Sequence, residues 1–277
     1  MRATGQDEAS GLTTATSADA RPLLSLQRIS KTFSNQVTAL RGVDFDLAEG
    51  EFLSLLGPSG CGKSTALRLI AGLSTPTSGR IDWLQEVGSQ DVSFVFQEPT
   101  LLPWASVFDN VWLPLRLRGI TRTAAEPAIR EMLARVRLTG FEKAMPRELS
   151  GGMKMRVSIA RGLVTKPRIL LMDEPFAALD EITRFRLNDD LLDLWREQKF
   201  TAIFVTHSVF ESVFLSTRII VMAARPGRVF EDISIDPEMG RDEAYRTSSQ
   251  YAALCRTTSD ALARAMSLNR GAGHDGH

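Results

Sequence analysis

An α/β protein built on a largely parallel sheet is what this sequence predicts, on three observations. Short apolar runs bounded by turn residues, "EFLSLLG", "PRILLMDEP" and "FTAIFVTH", each precede a helical pattern. Strands alternating with helices bury a parallel sheet under helices on both faces. A glycine-rich stretch, "GPSGCGKST" at Gly57 to Thr65, lies between the first of those runs and the first helix. The chain has 277 residues with 43 % hydrophobic and 24 % charged, enough for one large domain with a subdomain.

The elements follow in order. "LLSLQRISKTF" from Leu23 and then "VDFDLAEGEFLSLLG" are strand-like, the latter ending at Gly57. "KSTALRLIAGL" is helical, "TPTSGRIDW" a turn and a strand, and "DVSFVFQ" another strand. From Ala105 to about Arg161 the pattern becomes helical and more charged, a helical insert. "PRILLMDEP" is a buried strand between two prolines, "EITRFRLNDDLLDLWREQ" a helix, and "FTAIFVTH" and "RIIVMAARPGRV" two further strands. The last helix is expected over Asp242 to Met266, packed on the domain through Tyr251, Leu254, Leu262 and Met266. Residues 1–21 and 269–277 read as disordered tails, 22–229 as the main domain with a helical part at about 98–161, and 230–268 as a C-terminal helical extension.

Composition narrows the function. Lys+Arg and Asp+Glu are both 33, so no net charge draws the chain to nucleic acid or anionic lipid. Two cysteines, Cys61 and Cys255, make no disulfide framework and suit a reducing compartment. No run reaches the roughly 20 apolar residues of a membrane span, and the first residues lack the apolar core of a signal peptide.

"GPSGCGKST" fits G-x-x-x-x-G-K-[ST] between a strand and a helix, the pattern of a phosphate-binding loop. The N–H groups of Gly60, Gly62 and Lys63 can wrap a phosphate, helped by the helix dipole. Lys63 would reach the β- and γ-phosphates of a nucleotide, and Ser64 would ligate Mg²⁺. Gly57, Ser59, Cys61 and Thr65 complete the loop. Asp173 and Glu174 end a buried strand, where strand alternation aims them in opposite directions. Asp173 would hold Mg²⁺ through water, and Glu174 would orient or deprotonate the attacking water. His207 ends "FTAIFVTH" and is either a structural histidine or a donor to the γ-phosphate. Gln97 ends "VSFVFQ" and is either a capping polar group or a contact to Mg²⁺ or the water.

The phosphate loop, "FQEP", "LSGGM", "LLMDEP", "ALD" and "FVTHS" occur in this order from about Leu23 to Val229. The set resembles the ATP-binding subunit of ABC transporters, and in detail the nitrate/sulfonate/taurine/bicarbonate importer group. The resemblance implies a P-loop NTPase with a RecA-like, largely parallel core, an antiparallel β subdomain and a helical subdomain carrying the signature. It implies ATP and Mg²⁺ as ligands and roles in hydrolysis for Glu174, His207 and Gln97, with Ser64, Gln97 and Asp173 at the metal. Phe33 matches the aromatic that stacks on adenine. Ser150, Gly151 and Gly152 would contact the γ-phosphate bound by a second subunit, and Asp180 would link the two sites. That accounts for a glycine pair with no lysine: "SGG" opens a helix whose free N–H groups form a second anion site. Met153 and Met155 stand where the family usually has Gln, and Ala178 where it often has Ser.

The resemblance further implies a homodimer, peripheral on the cytoplasmic face of the cell membrane. The apolar segment after Gln97, "QEPTLLPWASVFDNVWLPL", with Trp104, Phe108 and Trp112 near one another, either fills the core of the helical insert or forms a groove that holds a short cytoplasmic helix of an integral permease subunit. A periplasmic or extracellular solute-binding protein would be an indirect partner, and nucleic acid would not be one. A non-transport ABC ATPase acting on nucleic acid or ribosomes is the alternative. A small-molecule kinase has no use for "LSGGM".

Overall fold

The computed structural model describes residues 22–88, 91–237, 239–242 and 244–271; the expected tails at 1–21 and 272–277 lie outside them. Two sheets form the frame. Strands β1 (Pro22–Thr32), β2 (Thr38–Ala48) and β4 (Ser78–Trp83) make an antiparallel sheet in the order β2-β1-β4. Along β2, Val43, Phe45 and Leu47 are buried while Asp44 and Asp46 face water, the alternation of a sheet with one covered face.

The second sheet has the order β5-β6-β7-β3-β8-β9. It is built from β3 (Phe52–Leu56), β5 (Val92–Val95), β6 (Ile169–Asp173), β7 (Thr201–Thr206), β8 (Arg218–Ala223) and β9 (Arg228–Ser234). All its pairings are parallel except β8 with β9. Strands β3, β6 and β7 are buried along their whole length, so their residues divide between two cores. Phe52, Leu56, Leu170, Met172, Ala202 and Phe204 face one, and Leu53, Leu55, Ile169, Leu171, Ile203 and Val205 face the other. Helix α1 (Lys63–Ile70) and the antiparallel sheet cover the second core through Leu67, Ile70, Leu26 and Leu47. The remaining helices cover the first.

Those helices are α2 (Val107–Leu117), α3 (Arg122–Arg135), α4 (Gly151–Leu163), α5 (Glu181–Gln198), α6 (Val209–Leu215) and α7 (Ser249–Gly271). Buried Asp190 of α5 takes ion pairs from Arg137 at 2.9 Å and from Arg156 of α4, tying the helical insert to the core. Asn110 of α2 is fully buried. Its Oδ1 accepts from Leu102 N–H at 2.8 Å, and its Nδ2 faces the carbonyls of Leu102, Ala105 and Ser106 at 3.0–3.2 Å. One side chain thus satisfies the backbone of the segment leading into α2.

Three expectations change. "RIIVMAARPGRV" is a hairpin of β8 and β9, because the turn through Arg225, Pro226 and Gly227 reverses the chain. Strand β9 runs to Ser234, so the sheet continues past the expected boundary at 229. The last helix begins at Ser249 and continues to Gly271, taking in 269–271 that read as tail. It buries Tyr251, Cys255, Thr258, Ala261 and Ala265, while Met266 is exposed. Leu254 and Leu262 pack half-buried against the same core, so of the four expected contacts only Met266 turns outward.

Replacing Asn110 with Ala leaves the N–H of Leu102 and neighbouring carbonyls without partners. The expected loss is about 1–3 kcal/mol, read as a lower melting midpoint, and an unchanged midpoint would show that the segment does not depend on Asn110.

Candidate functional site

Four parallel strands deliver the chemistry to one edge. Leu56 pairs with Thr206, Asp173 with Val205 and Val95 with Met172, so β3, β5, β6 and β7 end side by side. The residues just beyond those ends are Gly57, Gln97, Glu174 and His207. Ligands of open α/β sheets bind at such carboxyl ends.

The phosphate loop runs from β3 into α1, whose N-cap is Gly62, with no side chain capping it. The first-turn N–H groups of a helix have no partner within it. Here no side chain caps them, and the helix dipole favours an anion at that end. Gly60 and Gly62 are left-handed, with φ of 77° and 90°. Gly62 is also crowded: a β-carbon there would lie 2.5 Å from Leu40 Cδ2 and 2.8 Å from the Ala39 carbonyl. Lys63 is only 4 % exposed. Its Nζ donates to the carbonyls of Gly57 at 2.8 Å and Pro58 at 3.3 Å, and lies 3.6 Å from Glu174 Oε1. Cys61 is buried behind the loop, and that burial pushes its thiol up, against the pull of nearby Lys63. It packs rather than reacts. Ser59 is exposed and Thr65 half-buried in the first turn.

Ser64 Oγ donates to Asp173 Oδ1 at 2.6 Å. Burial pushes the Asp173 carboxyl up, and the Ser64 hydrogen bond opposes it. Two hard oxygens held together beside a phosphate loop are the donor type that Mg²⁺ takes. The opposed directions expected for Asp173 and Glu174 do not occur. Strand β6 ends at Asp173, and Glu174 turns left-handed at φ 47°, with its N–H donating to the Val205 carbonyl at 3.0 Å. Alternation stops where the strand stops, so both carboxylates face the loop. A left-handed non-glycine residue costs about 1–3 kcal/mol and persists only where surroundings enforce it. Glu174 Oε2 lies 3.5 Å from Nδ1 of half-exposed His207, so its two oxygens span Lys63 and His207.

Gln97 stands apart. It is exposed in a bend beyond β5, and among the described residues it makes no hydrogen bond to Ser64, Asp173 or Glu174. Phe33 lies in the turn between β1 and β2. Its ring is 43 % exposed, and Lys31 Nζ is 5.5 Å from its centroid. The strand that follows it carries Ala39 and Leu40, which touch Gly62, so the ring belongs to the phosphate-loop side.

Ser150 caps α4, its Oγ accepting from Met153 N–H at 3.3 Å. Gly151 is exposed and Gly152 buried, where a β-carbon would lie 2.7 Å from Thr183 Cγ2. Only glycine lets the start of α4 approach the start of α5 this closely. Asp180 caps α5, accepting from Thr183 N–H at 3.0 Å, and this bond holds its carboxyl below the usual range. Ser150, Gly151, Gly152 and Asp180 therefore share one corner. No hydrogen bond or ion pair joins them to the phosphate loop among the described residues. Met155 is buried and Met153 packs against the same core, so both stand on the inward face of α4.

The apolar segment after Gln97 divides. Phe108 is buried, and Trp112 is half-buried with Nε1 donating to the Ile120 carbonyl at 3.1 Å. Trp104 is 76 % exposed. Arg122 lies over the Phe108 ring, 4.4 Å from its centroid, and 5.7 Å from that of Trp112. The expected three-residue cluster is thus two packed rings and one free one. Sequence reasoning also missed a polar group beside His207, made of buried Thr206 and Glu211 with half-buried Arg184. The available signal was a lone carboxylate in the apolar helix "VFESVFL".

Comparison with known proteins places this geometry. The family model described as ABC transporter matches residues 40–177. An ABC transporter ATP-binding protein of Methanocaldococcus jannaschii is 47 % identical over 82 % of this chain and 86 % of its own length. The aliphatic sulfonates import ATP-binding protein SsuB of Bacillus licheniformis is 46 % identical over 83 % of this chain and 91 % of its own. Among solved structures, cbiO1 of Clostridium perfringens, part of an ABC transporter complex, superposes with a TM-score of 0.70 at 27 % identity, over 77 % of this chain and 88 % of its own. A dimeric ATP-binding cassette in a post-hydrolysis state with ADP and Pi gives 0.66 at 32 % identity, over 77 % of this chain and 99 % of its own. With the phosphate loop, the paired carboxylates and the capped glycine pair in the order and places described, the chain belongs to the ABC transporter family as an ATP-binding, ATP-hydrolysing subunit.

Proposed function

We propose that this subunit hydrolyses ATP as a head-to-tail homodimer and thereby drives a membrane importer. The observation that carries the reading is that two glycine-rich helix starts stand in separate corners of the chain. One is the phosphate loop with Lys63, Ser64, Asp173, Glu174 and His207, and the other is Ser150, Gly151 and Gly152 beside Asp180. A nucleotide held by the first corner of one subunit leaves its γ-phosphate for the second corner of the other.

Within that arrangement each residue has a job its geometry suits. The loop N–H groups and Lys63 bind and orient the phosphates, the ammonium exchanging loop carbonyls for phosphate oxygens. Ser64 and Asp173 would hold Mg²⁺. That ion would neutralise charge on the phosphates. Glu174 orients water and accepts its proton, and His207 donates a hydrogen bond on the γ-phosphate side. Phe33 offers an open ring face to adenine. Gln97, exposed at the same sheet edge, would contact Mg²⁺ or the attacking water.

The transport reading rests on the relatives' names and on one surface. The sulfonate importer proteins are named as import ATP-binding proteins. Among the described residues no helix is long and apolar enough to cross a membrane. A membrane step therefore needs a partner, which we place at exposed Trp104 on the segment after Gln97. That partner is an integral permease, fed from outside by a solute-binding protein. The subunit then sits peripherally on the cytoplasmic face, and the solute is a sulfonate-like or related small organic molecule or anion.

Glu174→Gln keeps the shape of the side chain but removes its charge and the base. We expect it to bind ATP and dimerise while hydrolysis falls by roughly 10²–10⁴-fold. Turnover near that of the wild type would remove Glu174 from the reaction. The same variant, tagged and loaded with ATP, is expected to carry an integral membrane protein in equal amount from detergent-solubilised membranes of its host. Recovery from the cytosol with ribosomes or nucleic acid would instead support the non-transport alternative.

A further inference from the structure

A buried carboxylate lies behind the phosphate site, and the roles above do not use it. Glu211, in the first turn of α6, is 6 % exposed. Its sequence setting, "SVFE", has the form of a capping box, in which the glutamate returns to the backbone of the capping serine. The structure does otherwise. Ser208 N–H donates to Thr206 Oγ1 at 3.0 Å, and Thr206 Oγ1 donates to Glu211 Oε2. These bonds hold the residues immediately before and after His207, so the carboxylate sets the turn that presents the imidazole. The other oxygen, Oε1, faces Arg184 Nε at 3.6 Å. Both atoms are buried, and neither has a hydrogen-bond partner.

Arg184 connects this carboxylate to a second functional segment. Its Nη2 donates to the Leu179 carbonyl at 3.0 Å, and its own N–H donates to the Asp180 carbonyl at 2.9 Å. A continuous polar path therefore runs from the Leu179–Asp180 loop through Arg184 and Glu211 to Thr206, Ser208 and the His207 turn. His207 in turn lies against Glu174. Burial pushes the Glu211 carboxyl up, with Thr206 and Arg184 opposing. A buried acid whose second oxygen lacks a full partner is costly to keep for packing alone.

We infer that Glu211 is a positioning residue for ATP hydrolysis, fixing the His207 turn through Thr206 and tying it to the Asp180 loop through Arg184. The inference rests on the role proposed above for His207. Motion of the Asp180 loop, which shares a corner with Ser150 and Gly152, is then felt at the imidazole without any contact between that loop and the nucleotide of its own subunit.

The test is ATP turnover by the full chain carrying Glu211→Gln, Thr206→Val, His207→Ala and the Glu211→Gln/His207→Ala pair. Each variant is read for kcat, for KM and for melting midpoint. Misplacing a reacting group by about an ångström costs up to roughly a hundredfold, so Glu211→Gln is expected to lower kcat tenfold or more. KM for ATP should stay unchanged. Thr206→Val, which keeps the carboxylate, should show the same split and keeps the test open if Glu211→Gln folds poorly. In the His207→Ala background Glu211→Gln should have no further effect, since residues acting through one group are not additive. An equal loss in both backgrounds, unchanged kcat in both single variants, or loss that only follows the folded fraction would overturn the inference. Wild-type turnover by His207→Ala would instead remove the role of His207, and this inference with it.

Discussion

A buried ammonium at the head of α1 is the constraint on which the site depends. Lys63 is almost fully covered. Removing such a charge from water costs several kcal/mol unless oxygens replace the lost hydration. The carbonyls of Gly57 and Pro58 turn inward to supply them, and a chain path that does this needs left-handed turns at Gly60 and Gly62. The same ammonium accounts for the strained backbone at Glu174, whose carboxylate reaches it only because the chain leaves the strand line after Asp173. Loop, lysine and glutamate are one electrostatic unit, and the parallel sheet holds its parts in register.

That register also explains why the remaining polar groups are grouped as they are. Strands β6 and β7 are hydrogen-bonded neighbours, and each ends in functional side chains. Asp173 is matched to Ser64 across the loop, while Glu174 is matched to His207 across the β6–β7 boundary. The corner of Ser150, Gly151 and Gly152, proposed as the second anion site, lies apart from the phosphate loop. Its helix starts against the start of α5, and the buried position of Gly152 makes that contact possible. Asp180 belongs to this corner and not to the phosphate loop, which is why a second subunit enters the account.

Much of this was legible in the sequence, for identifiable reasons. The parallel strands announce themselves because both faces are buried, which leaves runs such as "ILLM" with no polar alternation. The phosphate loop is legible because glycine, lysine and serine are each required at fixed places. The direction of Glu174 was not legible, because strand alternation holds only inside a strand and gives no sign of a left-handed exit. On α7 the large apolar residues Tyr251, Leu254 and Leu262 do mark the packed face, and only Met266 departs from it. The same face also buries the small residues Ala261 and Ala265, which a pattern of large apolar residues does not mark. Trp104 separates from Phe108 and Trp112 because α2 starts between them, at Val107. The network around Glu211 depends on residues distant in sequence and has no local pattern beyond one acid among apolar neighbours.

If one nucleotide is shared between two subunits, mixing two defective subunits rebuilds one working site. Lys63→Ala disables the phosphate loop of one preparation. A second preparation carries Gly151→Glu, which puts a negative charge at the start of α4. Each alone should hydrolyse almost no ATP. In a mixed head-to-tail dimer both defects fall on one nucleotide, and the other nucleotide meets an intact loop and an intact glycine pair. Mixing the two inactive preparations is therefore expected to restore ATP hydrolysis. A mixture as inactive as its components, in which the two subunits are shown to associate, would contradict it.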